Sequence, residues 1–421
     1  MNKISFTEKF SNYMQEKIAP SLIAFSENKY ISAVSEGMMV TVPFLIIGGL
    51  FLIITSFPIN AWQQLIKPYM NLFSIVSFYT FNIIALLTSI TVSYSLAGKF
   101  NIDRLGSSLF SLICFLMLSI PDAKFTAIPS TYLGGVGLFG SIIISIISVR
   151  ILKFFYDRKI TIKLPEGIPE NVAKSFTALM PGLILIFIIW FVRVVLNFDL
   201  NKWVINILKP IVLVGDSIFA AIVIPLINKT LWFVGIHGGN ITGAVANPIL
   251  LMYATQNAQA AQSGAKILPY ITSPMFYDNI ALWGNSMVIP ILLIFTCKNK
   301  GLKQLGKLAL PIGIFNIGEP IMYGLPIILN PFMLLPLMLS RILPSVLAWI
   351  VLRFNLVTRP YIMVPWTTPP IIGGYLATGG DFRAIILTSI IFIIQLAIFY
   401  PFIKLYDNYL EKNQEMQKVS Q

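Results

Sequence analysis

Charged residues are scarce in this sequence. Only 11% of the 421 residues are Asp, Glu, Lys or Arg, whereas soluble domains contain about a quarter. Hydrophobic residues make up 56% of the chain, in blocks long enough to cross a hydrocarbon core as helices. The short alternating segments typical of a transmembrane β-barrel are absent. We therefore exclude a soluble class and predict an all-α polytopic membrane protein.

Cysteine is also rare, and the ATP-binding loop of a primary pump is missing. The two cysteines, Cys114 and Cys297, have no CxxC neighbour and no metal-ligand spacing. We interpret both as packing thiols and predict neither a metal site nor a cofactor. The GxxxxGK[ST] pattern is absent, so this chain is not expected to drive transport directly with ATP.

The few charges are mostly basic, giving a formal net charge of +13. They concentrate in short loops at 150–174 and 298–307, which indicates membrane topology rather than nucleic-acid binding. Such loops stay on the cytoplasmic side. We predict a multi-pass membrane protein with both termini in the cytoplasm.

Glycine and proline interrupt several apolar blocks, notably 231–254, 308–330 and 360–380. Helix breakers at membrane depth are typical of re-entrant or broken helices that line a cavity. We expect about ten full spans, about two re-entrant elements and amphipathic surface helices. The predicted parts are an amphipathic cytoplasmic segment (1–30), an N-terminal transmembrane dimerisation domain with a cytoplasmic linker (31–174), a C-terminal transport domain (175–405) and a cytoplasmic tail (406–421).

The only histidine, His237, lies in the run LWFVGIHGGNITGAVANP. A lone histidine is often a core residue with a satisfied hydrogen bond. Here glycines surround it, so the backbone can open toward a ligand. Asn240 follows with an amide that can bond hydroxyls. The sequence is therefore compatible with a core histidine and with a ligand-binding one.

Glu319 is a carboxylate inside the apolar run PIGIFNIGEPIMYGLPI. Burial of a carboxylate in a membrane is costly unless the group is paired, neutralised or hydrated. The flanking Gly and Pro predict a loop tip that faces a cavity, with Asn316 three residues earlier. The alternative is a structural ion pair with Arg341 or Lys307.

Trp366 lies between prolines in VPWTTPP, as a rigid aromatic plate. An aromatic face can stack on the C–H face of a sugar ring. A tryptophan that anchors the bilayer interface is the alternative, and Trp232 has the same ambiguity. One imidazole, one carboxylate, amides and aromatic rings suit a neutral polyhydroxylated solute better than an ion.

The run FNIGEPIMYGLPIILNPFMLLP closely resembles the signature of enzyme IIC, the membrane subunit of the bacterial phosphoenolpyruvate-dependent sugar phosphotransferase system. The lactose/cellobiose (diacetylchitobiose) family is the most similar. The runs WFVGIHGGN, EGMMVTVPFLIIGGLFLI and PWTTPP fit the same family, and the resemblance covers residues 5 to 410.

The resemblance implies a homodimer in the bacterial cytoplasmic (inner) membrane. Its subunits bind a disaccharide in the C-terminal half and deliver it phosphorylated at its C6 hydroxyl. It implies that Glu319 and His237 are catalytic and lie beside the accepting hydroxyl. It also implies that Trp366 contacts the sugar. With Asn240, Trp232 and Asn316, these residues form the predicted substrate site.

The implied donor is a phosphorylated IIB protein acting in trans, with IIA, HPr and enzyme I upstream. Two other hypotheses remain open at this point. One is a proton-coupled secondary sugar transporter with Glu319 and His237 as the proton relay. The other is a structural or sensor membrane protein without transport.

Overall fold

The structure is a computed structural model, and its described part consists of helices joined by turns and loops, without strands. The N-terminal segment predicted over 1–30 lies largely outside this part, as does a piece of the predicted cytoplasmic linker. The residues described are 24, 27–56, 60–119, 130–162, 170–235, 237–281, 284–325, 327 and 330–419.

The N-terminal half is a bundle arranged around α4 (Ile84–Lys99), which packs against α1 (Lys29–Ser56), α5 (Arg104–Leu118) and α7 (Leu138–Asp157). Small residues on α4 and α1 let their backbones approach closely, as is common between membrane helices. At Gly37, for example, an added Cβ would lie 2.6 Å from the Cα of Val92. The helices are α1 (Lys29–Ser56), α2 (Asn60–Ile66), α3 (Met70–Phe81), α4 (Ile84–Lys99), α5 (Arg104–Leu118), α6 (Ser130–Leu133), α7 (Leu138–Asp157) and α8 (Glu170–Trp190).

The C-terminal half is made of interrupted helices. Its long helices α15 (Pro331–Arg353) and α17 (Phe382–Val419) pack together, and α10 (Ile218–Phe233) packs on α15. Two further helices, α12 (Gly284–Thr296) and α16 (Pro370–Ala377), pack on α17. Short π-helical turns occur at Phe191–Val195 and Phe276–Ile280. The helices are α9 (Leu200–Gly215), α10 (Ile218–Phe233), α11 (Gly238–Gln262), α12 (Gly284–Thr296), α13 (Lys300–Gly313), α14 (Glu319–Gly324), α15 (Pro331–Arg353), α16 (Pro370–Ala377) and α17 (Phe382–Val419).

Six helices in the described ranges are long and apolar enough to cross a membrane, and a bent pair raises the number to as many as seven. The chain is thus a multi-pass membrane protein, while the predicted number of about ten spans stays a prediction. In the bent pair, α9 and α10 meet at 74°.

Asp216 explains this break between α9 and α10. Its carboxylate accepts hydrogen bonds from the backbone N–H groups of Ile271 (2.8 Å) and Thr272 (2.7 Å). The indole of Trp349 donates to its backbone carbonyl at 3.0 Å. The chain turns here because a distant loop supplies the polar partners that a continuous helix would not need.

The helix α8, which begins close to the predicted boundary at 175, packs against α5 and α7 of the N-terminal half. At Gly182 an added Cβ would lie 2.2 Å from the ring of Phe110. Beyond α8, α9 also contacts α7, and α11 packs against α1, so the two halves share an extensive interface. The predicted domain boundaries themselves stay a prediction.

The candidate sugar site

Breaks in the helices of the C-terminal half surround a cavity of about 450 Å³, called here the central cavity. Helix ends and loops, rather than continuous helices, form its wall, as is typical of transporter binding sites. All six residues of the predicted substrate site line it: Trp232, His237, Asn240, Asn316, Glu319 and Trp366.

His237 stands at the beginning of α11, where its Nδ1 accepts a hydrogen bond from the backbone N–H of Asn240 at 3.2 Å. A neutral imidazole that accepts through Nδ1 carries its proton on Nε2. The ring is exposed to the cavity, and its centroid lies 4.4 Å from that of Trp232. His237 can therefore donate a hydrogen bond to a ligand from Nε2.

Gly238 fixes this arrangement because α10 and α11 meet at that residue. A Cβ at Gly238 would lie 2.1 Å from the carbonyl oxygen of Asn228. The side chain of Asn228 donates to the hydroxyl of Thr242 at 3.1 Å, which in turn donates to the Gly238 carbonyl at 2.7 Å. Any larger residue at Gly238 would push His237 away from α10.

Glu319 is the first residue of the short helix α14, so the prediction of a loop tip needs this small correction. Its side chain is exposed to the cavity rather than to apolar surroundings. Among the described residues it forms no ion pair, and of its two predicted partners only Arg341 lines the cavity. The structure therefore leaves Glu319 available to a ligand.

Asn316 and Trp366 belong to one local structure. The amide of Asn316 donates to the backbone carbonyls of Trp366 (2.7 Å) and Thr368 (2.9 Å). Asn316 has a φ of 64°, a left-handed conformation that asparagine tolerates better than most residues. Trp366 is 53% exposed and lines the cavity wall. Asn316 thus fixes the backbone of the loop that carries Trp366, and both residues line the cavity together with Glu319.

Three charged residues of the wall were not predicted as site residues: Lys229 on α10, Asp278 in the π-helical turn and Arg341 on α15. Each is a single charge inside an apolar stretch, and intramembrane charges are functional candidates by default. The sequence alone shows these isolated charges, but it led us to name only Arg341, as a possible ion-pair partner of Glu319. With Glu319, the wall holds two acidic and two basic side chains, whose formal charges cancel.

A second cavity of about 300 Å³ adjoins the first and shares Asp278, Arg341 and Trp366 with it. Cavities of a few hundred Å³ are the usual size of small-molecule sites. The phenol oxygen of Tyr277 and the Nε of Arg341 are buried here without a hydrogen-bond partner in the described part of the chain. Native proteins seldom leave such groups unpaired, so this wall suits a ligand rich in hydroxyls.

Comparison with known proteins assigns the family. Residues 35–340 match the family "Phosphotransferase system, EIIC". The chain belongs to the EIIC family. It is 34% identical over 432 residues to the cellobiose-specific EIIC component of Geobacillus stearothermophilus, covering 95% of each chain. It is 33% identical to the lichenan permease IIC component of Bacillus subtilis, covering 95% of this chain and 94% of that one.

The fold agrees with the family. The crystal structure of the transporter ChbC, the IIC component of the N,N'-diacetylchitobiose-specific phosphotransferase system, superimposes with a TM-score of 0.90. The match covers 96% of this chain and 99% of ChbC, at 31% sequence identity. As an EIIC component, the protein is a membrane permease for a sugar, and the resemblance inferred from the motifs is confirmed.

Proposed function

We propose that the protein binds a β-linked disaccharide such as cellobiose or diacetylchitobiose in the central cavity and releases it into the cytoplasm phosphorylated at its C6 hydroxyl. One observation carries this proposal. Charged, amide, imidazole and indole side chains from positions 228 to 366 line one cavity whose formal charges cancel. A neutral polyhydroxylated ligand satisfies amides and charges without adding a charge of its own.

Glu319 serves as the general base in this proposal. Transfer of a phosphoryl group to a primary hydroxyl gains from a carboxylate that accepts the proton, and from exact positioning of the two groups. The Nε2–H of His237 orients the accepting hydroxyl, and Asn240 bonds a neighbouring one. Trp366 and Trp232 stack on the sugar rings.

Lys229 and Arg341 extend the proposal to the phosphoryl group. The pair lines the cavity that contains Glu319. Cations around a transferring phosphoryl group stabilise the charge that develops on its oxygens. We assign these two residues to that task.

The phosphoryl donor in this proposal is a phosphorylated IIB protein, which receives its phosphate from enzyme I through HPr and IIA. Among similar proteins, the lactose-specific EIICB component of Lacticaseibacillus casei is 29% identical over 415 residues, covering 95% of this chain and 71% of that one. The name of that protein joins the B and C components, which supports contact between the two. The proposal also includes a homodimer formed through the N-terminal domain, with both termini in the cytoplasm.

The test is uptake of radiolabelled cellobiose and diacetylchitobiose by vesicles that contain the protein. Phosphoenolpyruvate, enzyme I, HPr, IIA and a cognate IIB are present or omitted one at a time. We expect sugar phosphate inside only when the complete donor chain is present.

Free sugar that accumulates with a pH gradient and without donors would contradict the proposal. That result would favour the proton-coupled carrier, with Glu319 and His237 as its relay. Saturable binding of neither disaccharide in the purified protein would exclude this substrate class.

A further inference from the structure

A separate cavity of about 530 Å³ lies in the N-terminal half, between α1 and α4 and next to the start of α5. It opens on the outer face of candidate membrane spans, where Val40 is 56% and Tyr94 46% exposed. None of its lining residues belongs to the central cavity. It is called here the outer cavity.

The outer cavity changes from apolar to charged along its length. Val40 and Ile90 line one part, and Glu36, Lys99 and Arg104 line the other. From Ile90 to Lys99 the α4 helix rises about 14 Å, at about 1.5 Å per residue. A cavity that turns from apolar to charged over this distance has the polarity profile of a lipid headgroup region.

Two of the three charged side chains are already paired. The ammonium of Lys99 lies 2.7 Å from Oε1 of Glu36, and the hydroxyl of Ser95 donates to Oε2 of Glu36 at 2.6 Å. These contacts neutralise Glu36 and Lys99 and leave Arg104 as the surplus charge. In the described part of the chain, no carboxylate pairs with Arg104.

Arg104 is held in place from two sides. The carbon of its guanidinium lies 5.7 Å from the centre of the Tyr94 ring. On the other side it lies over Gly98, where an added Cβ would be 2.7 Å from its Nε. A guanidinium fixed in this way keeps donors in a planar fork, which matches the oxygens of a phosphate.

We propose that the outer cavity binds the headgroup of an anionic phospholipid, with its phosphate on Arg104 and an acyl chain along Val40 and Ile90. Phosphatidylglycerol fits this site best, because its headgroup carries one negative charge and hydroxyls that can bond Glu36. A zwitterionic headgroup brings an ammonium group that competes with Lys99 for Glu36 and leaves no net charge to match Arg104.

Native mass spectrometry of the purified full chain, with phosphatidylglycerol, phosphatidylethanolamine or phosphatidylcholine added, tests the site. We expect phosphatidylglycerol to be retained preferentially, and Arg104→Gln to lower its retention about tenfold, since one charge-assisted contact is lost. The matched control is Arg158→Gln, which removes a guanidinium 4.9 Å from the Phe154 ring, outside the cavity. It should retain the lipid as the wild type does.

Val40→Trp provides a second variant that leaves the charges intact. It fills the apolar part of the cavity and should lower retention of phosphatidylglycerol as Arg104→Gln does. Equal losses in Arg104→Gln and Arg158→Gln would contradict the proposal, because they indicate diffuse attraction. Equal retention of all three lipids would do the same. A changed oligomeric state in Arg104→Gln with unchanged lipid retention would mean that a second copy of the chain covers the cavity, and would overturn the proposal.

Discussion

From α1 to α7, every buried polar residue in the described ranges is Ser or Thr, whereas the C-terminal half also buries Asn, Gln, Asp and Arg. The hydroxyls of the N-terminal half bond mainly within their own helix. Thr88 donates to the carbonyl of Ile84 at 2.8 Å, and Ser145 donates to that of Ser141 at 2.7 Å. Hydroxyls that bond within their own helix leave that helix continuous and allow neighbouring helices to pack closely against it.

In the C-terminal half, buried polar side chains bond distant segments. Asn257 bonds the backbone of Tyr270 and the carbonyl of Pro360, and Asp407 accepts from the N–H groups of Lys298 and Asn299. These bonds satisfy backbone at the ends of broken helices, which a membrane would otherwise penalise. A cavity at membrane depth therefore requires side chains that replace the lost helical hydrogen bonds.

We expect the largest change in sugar phosphorylation when the carboxylate of Glu319 is replaced, and none when that of Asp157 is. Glu319→Gln keeps the shape of the central cavity and removes the proposed base, so phosphorylation should fall by about 10²- to 10⁴-fold, with sugar binding largely kept. Vesicle phosphorylation and equilibrium binding measure the two effects. Asp157→Asn is the control, since Asp157 pairs with Lys153 in the N-terminal half. A wild-type rate in Glu319→Gln would refute the base role.

The next effect concerns aromatic rings. Trp366→Ala should weaken disaccharide binding about tenfold because the stacking plate is lost, and Trp366→Phe should restore most of it. Titration calorimetry measures the affinities. Trp203→Ala serves as the control because Trp203 is 48% exposed on α9, away from the central cavity. Equal effects of Trp366→Ala and Trp203→Ala would remove the sugar contact from the proposal.

Asn316 allows a separation of hydrogen bonding from backbone strain. Asn316→Gly loses both bonds to the Trp366 loop but tolerates the positive φ, and it should weaken binding about threefold to tenfold. Asn316→Ala adds a left-handed strain of about 1 kcal/mol and should also lower the melting temperature. Binding and thermal unfolding are measured on both variants. If the two variants bind as the wild type does, Asn316 does not position Trp366.

Asp381 should make the C-terminal half less stable at acidic pH. Burial alone would raise the pKa of Asp381, but hydrogen bonds from Arg383 and Thr358 hold it at about 2. In the unfolded chain the pKa of an aspartate is about 3.9. The hydrogen bonds to ionised Asp381 therefore stabilise the fold above that pH, and this contribution is lost as the pH falls toward 2.

Asp381→Asn should therefore lower the melting temperature at pH 7 and flatten its decline in acid. Asp103→Asn is the comparison in the N-terminal half, where the side chain caps α5 by accepting from Gly106. Asp103→Asn should lower the melting temperature less than Asp381→Asn does, because asparagine caps a helix about as well as aspartate. An unchanged acid profile in Asp381→Asn would contradict the assignment.

The smallest effect is expected for a hydroxyl of the N-terminal bundle. The side chain of Ser111 donates to that of Ser145 across α5 and α7 at 3.3 Å, a long contact. Ser111→Ala should change the free energy of unfolding by about 0.6 kcal/mol and leave sugar phosphorylation unchanged. Thermal unfolding in detergent measures it. A loss of several kcal/mol would mean that interhelical bonds between hydroxyls also hold the N-terminal half together.

The sequence was sufficient to predict the membrane class, because blocks of about 20 apolar residues have few other stable environments. It also indicated Glu319 and His237, because polar groups inside such blocks are costly and need a reason to be there. The motif around Glu319 was specific enough to indicate the EIIC family, which the comparisons confirm.

Only the tertiary structure decided which polar groups meet. Lys229, Asp278 and Arg341 are isolated charges in sequence, and nothing in local periodicity shows that they line one wall with Glu319. The break at Asp216 was hidden for the same reason, since its partners lie 55 and 56 positions away. The burial of an apolar segment depends on its composition, so the sequence of that segment alone predicts it. The partners of a charged side chain or of a broken helix end come from segments far apart in the chain, so only the tertiary structure identifies them.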